Sequence, residues 1–252
     1  MTAPALRVEA ITKRFGALTA LDGVTMGVDE GEILGILGDN GAGKSTLMKV
    51  ITGYHPPTSG EVFVRGEKVA LRSVDHARSL GIDCVYQDLA LVNGLSVAHN
   101  LFLNREILRR FPPRMLDNPA MRRRAAAVLA DIGVNIPDVD AEVQHLSGGQ
   151  RQAIAVARAV SGQARILLLD EPLAAMGARE AALIIELIRR LRAKGGLAIV
   201  MVMHNYAQTL DLADRIILMQ HGTITYERRT AETSVEELLS IVRREYQAVG
   251  PH

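Results

Sequence analysis

Tryptophan is absent from this chain, cysteine occurs once, and aromatic residues make up only 4%. The single thiol, Cys84, excludes an internal disulfide framework and fits a reducing compartment. Its neighbours Ile82, Val85 and Tyr86 read as a buried strand, which makes Cys84 a structural thiol. An excess of either charge is also missing: 29 Lys and Arg against 28 Asp and Glu leave a net charge of +1. That balance argues against a nucleic-acid partner, which favours a concentrated basic surface. Arg109-Arg110 and Arg122-Arg123-Arg124 are short clusters of the kind found on solvated helix faces. No stretch approaches the ~20 apolar residues of a membrane helix. The longest runs, such as Leu197 to Met203, read as core strands. Met1 to Ala10 carries a charge and a proline and lacks the apolar centre of a signal peptide. If the chain works at a membrane, other chains must span it.

What is present is enough for a folded core. The 252 residues are 48% hydrophobic and 23% charged, which suits one α/β domain and not a disordered chain. No internal repeat is visible. The most informative stretch is Gly38-Asp39-Asn40-Gly41-Ala42-Gly43-Lys44-Ser45-Thr46, a Gly-x-x-x-x-Gly-Lys-Ser phosphate-binding loop. Its glycines let backbone amides approach phosphate oxygens, and the start of the next helix adds partial positive charge. Lys44 can reach the outer phosphates, and the Ser45 hydroxyl can ligate Mg²⁺. Both flanks agree with the motif. Glu32 to Leu37 reads as a buried strand entering the loop, and Ser45 to Thr52 as a helix leaving it.

Elsewhere, Ala5 to Ile11, Val24 to Val28 and Glu61 to Arg65 predict strands of an antiparallel β portion. Ser73 to Leu80 reads as a short helix and Ile82 to Tyr86 as a strand. Between Asp88 and Ser161 the composition turns helical, with Val97 to Leu108 and Met121 to Asp131 as helices. Phe111-Pro112-Pro113 and Asn118-Pro119 read as breaks between them. Strands return at Ile166 to Leu169, Ala198 to Met203 and Arg215 to Gln220. Leu183, Ile184, Leu187, Ile188 and Leu191 predict one buried helical stripe. Ser234 to Tyr246 predicts a closing helix capped by Ser234.

Two further segments carry chemistry. Ile166-Leu167-Leu168-Leu169-Asp170-Glu171 is an apolar strand ending in two carboxylates, the first suited to Mg²⁺ and the second to polarising a water. Leu146-Ser147-Gly148-Gly149-Gln150 precedes an alanine-rich helix, Arg151 to Val160. Ser147 is an N-cap type, and the glycines bare amides at a helix start, so the segment is a second anion-binding device.

A Leu-Ser-Gly-Gly-Gln segment between a phosphate-binding loop and an Asp-Glu strand resembles the ABC transporter ATPases, and the resemblance spans roughly Leu6 to Glu227. It implies a P-loop NTPase (RecA-like) α/β core with an antiparallel β subdomain and an inserted helical subdomain. On that plan the chain is a single domain. Residues 1–87 hold the β subdomain and the loop, 88–161 the helical subdomain, 162–227 the rest of the core, and 228–252 a C-terminal helix. The resemblance further implies that Gln87 senses Mg²⁺ and the attacking water, that His204 contacts the γ-phosphate, and that Phe15 stacks on adenine. Without it, Phe15 reads as a core residue. Two subunits would enclose two ATP molecules head to tail, the loop of one facing Ser147 to Gln150 of the other. The implied partners are a second copy, transmembrane permease subunits and, indirectly, a solute-binding protein. The implied place is the cytoplasmic face of the membrane. Leu89 to Leu95 is the expected docking segment, with burial in the helical subdomain as the competing reading.

The chain departs from the family after Glu171. Ala174-Ala175-Met176-Gly177 stands where a run ending in Asp is usual, and Leu173 where Thr is common. The closing glycine, together with Tyr86 to Leu91 and Asn100 to Glu106, is similar to the monosaccharide-importer branch. An export ATPase, or a soluble ATP-gated protein without transport, are the alternatives. The solute itself is chosen by other chains.

Overall fold

The computed structural model describes residues 3–109 and 114–249, so the Phe111-Pro112-Pro113 break lies outside the described residues. The chain begins with β1 (Leu6–Phe15), β2 (Leu18–Val28), β3 (Ile33–Leu37), α1 (Lys44–Ile51), β4 (Ser59–Val64) and β5 (Glu67–Val69). It continues with α2 (Val74–Ser79), β6 (Ile82–Val85), α3 (Val97–Leu101), α4 (Asn118–Asp131) and α5 (Gly148–Ser161). Last come β7 (Ile166–Asp170), α6 (Ala178–Ala193), β8 (Ala198–Val202), α7 (Tyr206–Leu212), β9 (Arg215–Gln220), β10 (Thr223–Arg229) and α8 (Val235–Val249).

Two sheets form. One is antiparallel, in the order β2-β1-β4-β5; the other has six strands in the order β10-β9-β3-β8-β7-β6. Within the second, β9, β3, β8, β7 and β6 run parallel, and only β10 is antiparallel, on the edge. Both faces of this sheet are covered, which is why its strands read as unbroken apolar runs. Leu34, Ile36, Leu168, Val200, Val202, Ile217 and Met219 point into a core shared with the antiparallel sheet and α1. Ile33, Leu37, Leu167, Leu169, Ile199, Met201, Ile216 and Leu218 point the other way, into a core shared with α3, α4, α5 and α6. Each such fully buried aliphatic side chain contributes about 1.5–3 kcal/mol relative to exposure. The helical region therefore shares its core with the sheet.

Several elements depart from expectation. Strand β2 begins at Leu18 and not near Val24. Shifts of register along β1, between Val8 and Ile11 and again near Lys13, break the alternation that would have revealed it. Strand β10 was not expected at all, because an edge strand of largely polar residues carries no apolar period. Helix α3 stops at Leu101, whereas Val97 to Leu108 reads as helical. Asn104 takes a left-handed φ of 62°, and Arg105 turns away to pair with Asp83 at 2.9 Å. Leu183 is 57% exposed, while Ile184, Leu187, Ile188 and Leu191 are buried. The face that α6 buries is one residue narrower than its apolar stripe. The segment after Gln87 is mixed: Leu89 and Leu91 pack on the core and Val92 is exposed.

Candidate functional site

The register of the parallel strands decides what meets what. Ile36 pairs with Val202, and Val202 with Asp170, so β3, β8 and β7 end level with one another. The residues just beyond those ends, the 38–46 loop, His204 and Glu171, are thereby gathered at the carboxyl edge where the strand order changes direction. On the outer side Val85 pairs with Leu169, which sets Gln87 beyond the same edge, exposed in a turn.

The loop after β3 is shaped by close approach. Gly38 has φ +146°, and a Cβ there would lie 2.3 Å from the Met219 carbonyl oxygen. Gly43 has φ +100°, and its Cβ would lie 2.7 Å from the Ala20 carbonyl oxygen. Neither position tolerates a side chain. Gly43 is also the N-cap of α1 and offers no capping side chain, so the first amides of the helix, from Lys44, Ser45 and Thr46, stay available to an anion. Lys44 is buried, and its Nζ donates to the Gly38 carbonyl at 2.6 Å and to the Asp39 carbonyl at 2.8 Å. Burial lowers its pKa, while Glu171, Asp39 and Asp170 pull it back up. Asn40 and Gly41 are exposed at the turn, and Ala42 packs inward.

Asp170 and Glu171 have different environments. Asp170 Oδ1 is buried without a hydrogen-bond partner. Burial raises its pKa, as does the neighbouring Glu171 charge, against the lowering effect of Lys44. An orphaned carboxylate oxygen beside a lysine and a phosphate-type loop is a fitting ligand for a hard cation such as Mg²⁺, with the Ser45 hydroxyl on the facing helix. Glu171 adopts φ +52°, outside the region that side chains favour. Its N–H donates to the Val202 carbonyl at 3.0 Å, which holds the bend. Its Oε1 lies 2.5 Å from His204 Nε2.

The raised pKa of Asp170 makes a stability prediction. Because the folded pKa lies above the ordinary 3.8, this group supports the fold fully below that value and loses the contribution as pH rises through the folded pKa. Asp170→Asn is therefore expected to melt higher than the parent at neutral pH without Mg²⁺, by about 1 kcal/mol. The gap should close in acid. Thermal melts from acid to neutral pH check it, and a pH-independent difference would remove ionisation as the cause.

The remaining predicted residues lie apart from this cluster. Phe15 ends β1 and is 43% exposed, with its ring edge-to-face on His55 at 5.2 Å and Lys13 Nζ 5.0 Å from its centroid. Ser147 caps α5: its hydroxyl accepts from the Gln150 N–H at 3.3 Å, and the Gln150 side chain accepts from the Ser147 N–H at 3.0 Å. This reciprocal pair fixes the start of the helix. Gly148 and Gly149 pack against Glu180 on α6. Two contacts had no signal in the sequence. One is Glu180 on Gly149. The other is Arg158, whose guanidinium donates to the Leu89 and Ala90 carbonyls at 2.8 and 2.7 Å and so ties α5 to the turn after Gln87.

The parallel sheet, the glycine-shaped loop before α1 and the paired carboxylates define a P-loop nucleoside-triphosphate-binding protein. A family model described as ABC transporter matches residues 21–174, and one described as P-loop domain matches residues 132–249. The xylose/arabinose import ATP-binding protein of Sulfolobus acidocaldarius is 44% identical over 94% of this chain and 93% of its own length. The fructose import ATP-binding protein of Rhizobium meliloti is 42% identical over 87% of this chain and 86% of its own length. A dimeric ATP-binding cassette bound to ADP and phosphate superposes with a TM-score of 0.73 at 26% identity, over 89% of this chain and 98% of that one. This chain belongs to the ABC transporter ATPases. It is a nucleotide-binding ATPase domain.

Proposed function

We propose that this chain is the ATP-hydrolysing subunit of a membrane importer for a small solute, a monosaccharide, and that it works as a head-to-tail dimer. The observation that carries the reading is the convergence of Lys44, Asp170, Glu171 and His204 at one edge of the parallel sheet. The sugar class is supported by relatives whose names give xylose/arabinose and fructose import. Loop amides from Gly38 to Thr46 and the Lys44 ammonium hold the phosphates, and the exposed Phe15 ring carries the adenine. Ser45, Asp170 and Gln87 would hold Mg²⁺, which when bound neutralises charge between the outer phosphates. Glu171, steadied by His204, accepts a proton from the attacking water, and His204 stands by the γ-phosphate. Ser147, Gly148, Gly149 and Gln150 complete the site of the other subunit.

On this reading 1–87 and 162–227 form the nucleotide-binding core, 88–161 the helical subdomain and 228–252 a closing segment that finishes β10 and then carries α8. No helix among the described residues is long and apolar enough to cross a membrane. Attachment to the cytoplasmic face of the membrane therefore runs through permease subunits, and a solute-binding protein delivers the sugar to them. ATP favours the closed dimer, and hydrolysis with product release removes that preference. The test is co-expression with candidate sugar permeases. The chain is expected to stay with the membrane fraction and to support ATP-dependent uptake of a labelled pentose or hexose by reconstituted vesicles. Retention with no permease, or uptake confined to non-sugar solutes, would overturn the importer or the sugar assignment respectively.

A further inference from the structure

The start of α5 is already occupied by a carboxylate of its own chain. Glu180 Oε1 accepts from the Gly149 N–H at 3.3 Å. A Cβ built on Gly148 would lie 3.7 Å from each Glu180 oxygen, so the whole carboxylate rests over the two glycines. A Cβ on Gly149 would lie 3.1 Å from the Glu180 Cβ, which records how closely α6 approaches α5 here. The Gly149 amide has one hydrogen to give. A carboxylate and a phosphate cannot both take it at full strength, and side by side they repel.

Glu180 has somewhere else to go. It is the third residue of α6, whose N-cap, Gly177, contributes no capping side chain. From that position a glutamate can turn back to the N-cap amide of its own helix. The Gly149 amide, the Ser147 hydroxyl and the Gly177 and Gly148 amides all draw the Glu180 pKa below the ordinary carboxylate value. The carboxylate bonds the start of α5 and also feels the start of its own helix.

We propose that Glu180 is a positioning residue that holds the Gly149 amide in the separate subunit and must release it when the partner's nucleotide binds there. The proposal rests on the assignment of Ser147 to Gln150 as the half-site completed in trans. Glu180 then sets how much ATP is needed to close the dimer. It also ties that event to the segment following Glu171, six residues of which separate the carboxylates from α6.

The experiment compares Glu180→Gln and Glu180→Asp, each in a Glu171→Gln background that suppresses turnover. The ATP concentration giving half-maximal dimer is read by sedimentation, and ATP affinity is read separately below the dimerising protein concentration. Glu180→Gln weakens the bond to the amide, and Glu180→Asp keeps the charge but shortens its reach. Both are expected to lower the half-maximal ATP concentration, by about fivefold, with subunit affinity unchanged. An unchanged or higher ATP requirement in Glu180→Gln would overturn the proposal. So would a shift in Glu180→Gln with Glu180→Asp equal to the parent, because charge acting through space would then suffice. Failure of the Glu171→Gln parent to dimerise with ATP would instead overturn the trans assignment itself.

Discussion

Glu171→Gln is expected to lower ATP turnover by about 10²–10⁴-fold while the separate subunit still binds ATP. The amide has the shape of the carboxylate and can keep the contact with His204, but it cannot take a proton from water. The backbone at Glu171 is held by its bond to the Val202 carbonyl and by the turn that Ala174 N–H closes on the Glu171 carbonyl at 3.0 Å. The substitution should therefore leave the bend intact. Removing the negative charge also relieves Asp170, whose pKa the Glu171 charge raises. ATP-bound dimer should accumulate. Phosphate release and sedimentation in ATP check the two halves, and ordinary turnover would strip Glu171 of the catalytic role.

Ser147→Arg is expected to block dimer closure, with cooperative turnover falling by about a hundredfold or more and nucleotide affinity of the separate subunit unchanged. Two effects combine. The long side chain fills the space over the α5 start that the partner's phosphates would need in the proposed head-to-tail dimer. The lost hydroxyl also removes the N-cap bond to Gln150, worth about 1 kcal/mol to the helix. Ser147→Ala separates them, since it loses the cap without adding bulk. If Ser147→Ala alone gave the full loss, the cap and not the obstruction would be responsible. A collapse of ATP affinity in the separate Ser147→Arg subunit would sink the assignment of this segment to the other half of the site.

How much of this was legible depends on the range of the interaction concerned. The 38–46 loop, the Ser147 N-cap and the acidic end of β7 are local devices. Each is written in consecutive residues whose backbone needs can be read one by one. Their membership in one family was also legible, because three such devices in one order rarely coincide. Phe15 is a candidate only through that resemblance: by itself an aromatic at a strand end reads as core, a reading that its 43% exposure contradicts. Leu183 and the residues after Leu101 failed for the opposite reason. Apolar periodicity reports which residues could be buried, and the neighbours that actually arrive decide which are.

The sequence by itself determined the phosphate loop, the buried parallel strands and the carboxylate pair, and the resemblance that it carries implied a second chain. The tertiary structure alone decided the register that sets Ile36, Val202 and Asp170 level, the orphaned oxygen of Asp170, and the meeting of Glu171 with His204. It alone decided the contact of Glu180 with Gly149. The reason is physical. Turn and cap preferences act over a few residues of chain. The alignment of parallel strands and the packing of α6 on α5 join residues about 30 or more apart, through burial that no single segment specifies.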